Sequence, residues 1–110
     1  MENIIFQKSL NKQGQITEIE IGGILVLENS QQLKTEFLGA KDCLSERVKI
    51  TVSNPEEIDL SFIQLFIAFI KSMNETHVVY QLDWKLDEDQ KTLLENVGLS
   101  NELFMNNSYV

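Results

Sequence analysis

The residues that most often announce chemistry are scarce in this chain. Among 110 residues there is one cysteine, Cys43, one histidine, His77, and one proline, Pro55. A single cysteine excludes an internal disulfide, and its place in a helical pattern marks a small buried or half-buried thiol in a reducing compartment. No histidine or arginine stands beside it in sequence to lower its pKa. His77 has no second ligand-type residue at metal spacing, so it reads as a surface residue where a turn enters a strand. Glycine is thin as well, and no P-loop, no G-x-G-x-x-G and no G-x-S-x-G occurs. The acidic run Asp87 to Gln90 lacks the glycine and terminal glutamate of a calcium loop, and is read as the acid-rich start of a helix. Glu56 and Glu57 adjoin without defining an acid–base pair. No catalytic constellation converges, so neither an enzyme, a metal nor a cofactor is expected.

Positive charge is short too. Nine lysines and arginines stand against seventeen acids, a net charge of −8. Such a field repels phosphate backbones and anionic lipid surfaces, so no direct nucleic-acid binding is expected. Long apolar runs are also missing. The best membrane candidate, Ile58 to Ile70, offers roughly 13 residues against the ~20 needed to span, and Asp59, Ser61 and Gln64 interrupt it. The start MENIIFQKSL has an acidic second residue and too short an apolar run for a signal peptide. A cytoplasmic protein without membrane insertion is expected.

Periodicity is what the sequence does have. With 43% hydrophobic and 24% charged residues it is composed like a globular protein, and its length suits one domain over 1–110. Ile4 to Leu10 reads as a strand and Lys12 to Gly14 as a turn. In Ile16 to Ile21, Ile19 and Ile21 alternate with Glu18 and Glu20 as in a half-buried strand. Gly22 and Gly23 ask for a bulge or tight turn before the apolar run Ile24 to Leu27. Asn29 and Gln32 read as a capping box opening a helix from Ser30 to Leu44, in which Leu33, Phe37, Ala40 and Leu44 recur at helical spacing. Gly39 weakens that helix by about 1 kcal/mol relative to alanine. Arg47 to Val52 is strand-like, and Ser53 to Pro55 stops it. The stretch Pro55 to Met73 leads into a second helix with Asp59 as its natural N-cap, Asn74 to Thr76 turn the chain, and His77 to Trp84 has strand composition, with Tyr80 and Trp84 suited to sheet packing. Asp87 and Gln90 form a second capping box with Leu86 as staple, and Gly98 ends the helix they open. A short helix from Ser100 carries Leu103 and Phe104. This order predicts an α/β domain with a mixed sheet of four to five strands covered by three to four helices.

The second helix is unusually apolar. At about 100° per residue, Ser61, Gln64, Ala68, Lys71, Ser72 and Glu75 share an arc of roughly 100°, and roughly 220° of the remainder is apolar. A helix lying on a sheet needs about half of that. Two arrangements account for it: both flanks are buried against the sheet and a neighbouring helix, or the edge with Leu60, Ile63 and Ile67 stays exposed as a docking patch.

The succession of a strand (VKITVS), a loop, Asp59, a small polar residue, an apolar helix, a strand and a helix ending in LLENVGL resembles the STAS domain, shared by bacterial anti-sigma-factor antagonists and sulfate transporters. The segment IEIGGILVLENSQQLKTEFLGA is similar to that family's central strand and first helix. The resemblance runs from Glu18 to Phe104. In the phosphorylated antagonists the junction is of the type Asp-Ser-Ser/Thr-Gly-Leu, and a partner kinase modifies the serine after the aspartate. Here those positions read Asp59, Leu60, Ser61, Phe62, Ile63. The acceptor position has no hydroxyl, and the usual glycine is Phe62.

The resemblance implies a non-enzymatic, protein-binding regulatory module without the usual phosphoserine switch. It places the contact surface at Asp59, Leu60 and Ser61, along the helix edge with Ile63, Gln64 and Ile67, and at Glu28, Asn29 and Ser30. Ser61 is the one substitute phosphoacceptor at the junction, although serine in a first turn also serves capping alone. By the same resemblance the partner is an anti-sigma factor of the serine-kinase ATPase type, or a two-component or chemotaxis protein. The alternative is a STAS subunit of a phospholipid-transport ABC system, clamping a transporter ATPase.

Overall fold

The computed structural model describes residues 3–96. Two strands, β1 (Ile4–Leu10) and β2 (Ile16–Leu25), form an antiparallel hairpin whose turn is built locally. Asn11 Oδ1 accepts from the backbone N–H groups of Gln13 and Gln15, each at 2.9 Å. Gly14 takes φ 81°, which only glycine adopts without steric cost.

After the hairpin the chain becomes a run of parallel crossovers. One turn of 3-10 helix at Leu27–Asn29 leads into α1 (Ser30–Lys41), then β3 (Leu44–Ser53), the two-residue β4 (Glu57–Ile58), α2 (Leu60–Glu75), β5 (Val79–Lys85) and α3 (Glu88–Asn96). The sheet order is β1-β2-β3-β5, with β4 pairing to β2 beyond the end of β3. Only β1 is antiparallel, so the sheet is mixed, as expected. Both crossovers, through α1 and α2, step in the same direction across the sheet, and right-handed connections then put both helices on one face. Phe37 of α1 meets Phe69 of α2 there, with ring centroids 4.8 Å apart.

The sheet supplies Ile19, Ile21, Val48, Ile50, Val52 and Leu82 to a core shared with both helices. Phe37 sits at the centre of an aromatic cluster that includes Phe6, Phe62, Phe66 and Phe69, and Trp84 packs edge-on against Phe66. The other sheet face carries Glu18, Glu20, Lys49, Thr51, Asp83 and Lys85, all exposed or half-buried. Among the described residues no helix is long and apolar enough to cross a membrane.

Several boundaries differ from the sequence reading. The first helix ends at Lys41, and Leu44 opens β3, three residues before the expected strand. Sheet pairing ends the helix early: Ile16 donates to the Cys43 carbonyl at 2.7 Å, and Leu44 pairs with Ile16. Cys43 is thereby placed in a turn with its thiol exposed, which corrects its reading as a buried or half-buried helical residue. The second helix runs through Glu75, so Asn74 and Glu75 are helical, and His77, at φ 62°, makes the turn. The second capping box forms as read: Gln90 N–H donates to Asp87 Oδ1 at 2.8 Å and Asp87 N–H to Gln90 Oε1 at 3.2 Å. Gln90 Nε2 also donates to the Pro55 carbonyl at 2.8 Å, tying α3 to the loop after β3. Gly98 and the helix expected from Ser100 lie outside the described residues.

Phe66 is fully buried and touches Phe37, Phe62 and Trp84. Phe66→Ala should therefore lower the free energy of unfolding by ~3–5 kcal/mol, read from urea denaturation with an unchanged m-value. A loss under ~1 kcal/mol would mean that the aromatic cluster does not anchor the two helices.

Candidate docking site at the start of the second helix

The site is created by a register change. Val52 of β3 pairs with Ile21, and the next pair along β2 is Ile24 with Glu57 of β4. The chain thus uses two more residues than β2 over the same span, and the surplus bulges out at Asn54, φ 45°, and Pro55. Gly22 makes room for this, and Gly23 for the chain entering β1. A side chain at Gly22 would come within 3.0 Å of the Ser53 carbonyl oxygen, and one at Gly23, φ 86°, within 2.5 Å of the Asn3 carbonyl oxygen. Glu56 N–H then donates to the Gly23 carbonyl at 2.8 Å and Asp59 N–H to the Leu25 carbonyl at 3.1 Å, which delivers Asp59 to the end of β2.

Asp59 there serves two segments at once. Its Oδ1 accepts from Ser61 N–H at 3.0 Å and from the Ser61 hydroxyl, capping α2. Its Oδ2 accepts from the Leu27 N–H at 3.0 Å, reaching across to the 3-10 turn. Partial burial by itself raises the carboxyl pKa. The hydrogen bonds from the Ser61 hydroxyl and from the backbone of Leu27, Phe62 and Ser61 outweigh that and hold it below the ordinary aspartate value.

Two apolar side chains flank this bridge in the open. Leu60 is 44% exposed and Leu27 63% exposed, with Glu28 exposed beside Leu27 and Ser61 half-buried. The structure thus brings Asp59, Leu60 and Ser61 together with Leu27 and Glu28. Leu27 was missed by the sequence reading, since it closes the apolar run Ile24 to Leu27 and such a run is ordinarily core. Its only signal was position: the last apolar residue before the polar Glu28 to Ser30.

Three expected contact residues fall elsewhere. Ile63 is fully buried, and Ile67 is half-buried against the core, so the edge Leu60–Ile63–Ile67 is not an exposed patch. The wide apolar arc of α2 is spent mainly inside: Phe62, Ile63, Phe66, Phe69, Ile70 and Met73 are all buried. Asn29 is only 5% exposed, and its Nδ2 donates to the Ile24 carbonyl at 2.7 Å. It therefore makes no side-chain cap, because its amide satisfies a carbonyl at the end of β2 instead. Gln64 is exposed and Ser30 half-buried. Among the described residues no group of three or more His, Cys, Asp or Glu side chains converges as a metal site would require.

Asp59→Ala should cost ~1 kcal/mol, within the ~0.5–2 kcal/mol range of lost N-caps. The pH dependence has a fixed sign. A carboxyl whose folded pKa is depressed stabilises the fold above the ordinary aspartate range, and that stabilisation is lost as pH falls through the folded value. The stability gap between wild type and Asp59→Asn should therefore narrow below a pH of about 4. A gap that stays constant into acid, in chemical denaturation at successive pH values, would contradict the hydrogen-bonded carboxylate.

No family model and no curated protein matches the sequence. The fold does have a counterpart. The crystal structure of an antisigma-factor antagonist STAS domain from Rhodobacter sphaeroides superposes with a TM-score of 0.53 at 18% identity, covering 74% of this chain and 84% of that one. At that identity the likeness concerns the path of the backbone, and by that path, a mixed sheet with its helices in this order, the chain has a STAS-like fold.

Proposed function

We propose that the whole chain, 1–110, is a cytoplasmic regulatory module that binds another protein through the Asp59 junction, without enzymatic activity. The observation that carries this is the pair of exposed leucines, Leu27 and Leu60, held on either side of one bridging carboxylate. Exposed apolar side chains on a rigid frame make a docking surface that loses little conformational entropy on binding. Glu28, Ser30, Ser61 and Gln64 supply its polar margin. The similarity to a structure described as an antisigma-factor antagonist supports a partner of the anti-sigma type, a serine-kinase ATPase; a two-component or chemotaxis protein would present the same class of surface.

The module works without the phosphate switch. A phosphate in the first turn of α2 would sit well with the helix dipole but would add about two negative charges beside Asp59, repelling an acidic partner site. Leu60 has no hydroxyl to accept it. The Ser61 hydroxyl is already committed to Asp59 Oδ1. A second reading follows from the same leucine: a subunit that clamps the ATPase of a phospholipid-transport ABC system needs no switch at all.

Leu60→Asp and Leu27→Asp should each weaken recovery of the native partner in affinity capture while leaving the circular-dichroism melt nearly unchanged. Mass-spectrometric identification of a serine-kinase or sensor ATPase supports the first reading, and a transporter ATPase the second. Retention of the partner by both variants would remove the junction as the docking site. Intact-mass measurement of the protein from its own cell should find no phosphate on Ser61; a stoichiometric adduct there would overturn the switchless module.

A further inference from the structure

A second surface lies on the outer side of the helical layer, away from the junction. Between α1 and α2 runs an open apolar groove of about 210 Å³, with Leu38, Leu65, Ala68 and Phe69 among its lining residues and Lys34 and Lys41 on its borders. Leu38 is 52% exposed, the most open large apolar side chain of either helix. Ala68 keeps the α2 side of the groove low, which lets an incoming backbone approach closely.

The charge here runs against the rest of the protein. The two helices together carry Lys34, Lys41 and Lys71 against Glu36 and Glu75, whereas the chain as a whole has a net charge of −8. Glu36 is taken up by Lys8 of β1 at 3.7 Å. Among the described residues no carboxylate lines the groove. Among the described residues neither Lys34 nor Lys41 is in an ion pair. The two lysines are seven residues apart on one helix face, about 10 Å along the axis.

We propose that this groove binds an acidic amphipathic helix of another protein, its apolar stripe lying over Leu38, Leu65 and Phe69 and its carboxylates meeting Lys34 and Lys41. Acids two turns apart on such a helix match the lysine spacing, and helix-in-groove docking uses this division between apolar anchors and charged flanks. A second copy of the chain presenting the same face would set lysine against lysine, which disfavours self-association there.

The test uses the full chain and a fluorescein-labelled synthetic peptide of about 18 residues, with leucines at helical spacing flanked by glutamates. Its twin carries lysine in place of every glutamate. Fluorescence anisotropy should show the acidic peptide binding at least ~tenfold more tightly than its twin, with affinity falling as salt rises. Lys34→Glu combined with Lys41→Glu should cost at least ~tenfold, and Leu38→Glu should abolish binding, with each variant's melt checked for folding. Leu60→Asp should leave the peptide affinity unchanged, which separates this groove from the junction. Equal affinity for both peptides, indifference to the groove variants, or no binding at all would overturn the proposal. So would binding only by the full chain with Leu103→Ser and Phe104→Ser, which would make the chain's own tail the occupant. Dimerisation in light scattering that Leu38→Glu dissolves would assign the groove to a second copy.

Discussion

One carboxylate ties the candidate site to the fold. Asp59 caps α2 with one oxygen and holds the Leu27 N–H with the other, so the end of β2 and the start of α2 cannot move independently. Each of these hydrogen bonds involves an ionised acceptor, which makes it stronger than a neutral bond. The position of Asp59 is itself imposed from below, by the pairing of β4 on β2 and by Gly22, which lets the Ser53 carbonyl just before the bulge lie close to β2. Sheet register, helix cap and exposed leucines are therefore consequences of one local geometry.

The helical layer divides its labour along its length. At the N-terminal end of α2 the exposed groups are Leu60 and its neighbours around Asp59. Farther along, the inward arc packs into the aromatic cluster around Phe37, and the outward side shares the lysine-bordered groove with α1. Gln90 completes the frame from α3 by donating to the Pro55 carbonyl, which steadies the loop that carries the chain to Asp59.

Much of this was legible in the residues, and the failures have identifiable causes. Alternation in β2, the turn at Lys12 to Gly14, the Asp87–Gln90 capping box and the Asp59 cap are local patterns, and local chemistry decided them. Asn29 looked like a cap as well, but the Ile24 carbonyl at the end of β2 claimed its buried amide. Leu44 looked helical by spacing, and strand pairing to Ile16 took it. In both cases a partner fixed by the fold outweighed a local preference worth about 1 kcal/mol or less.

The breadth of the apolar arc on α2 was visible by counting, but its use was not. Ile63 and Leu60 are three residues apart, one fully buried and the other open, and nothing in their types separates them. The sequence by itself determined the order of the longer strands and helices though not the two-residue β4, the acidic net charge, the absence of a hydroxyl at position 60 and the identity of the capping aspartate, because each of these is a property of residues and their near neighbours. Only the tertiary structure decided that Leu27 stands beside Leu60 and that Lys34 and Lys41 border an apolar groove, because those juxtapositions depend on how β4 registers on β2 and how α1 packs against α2.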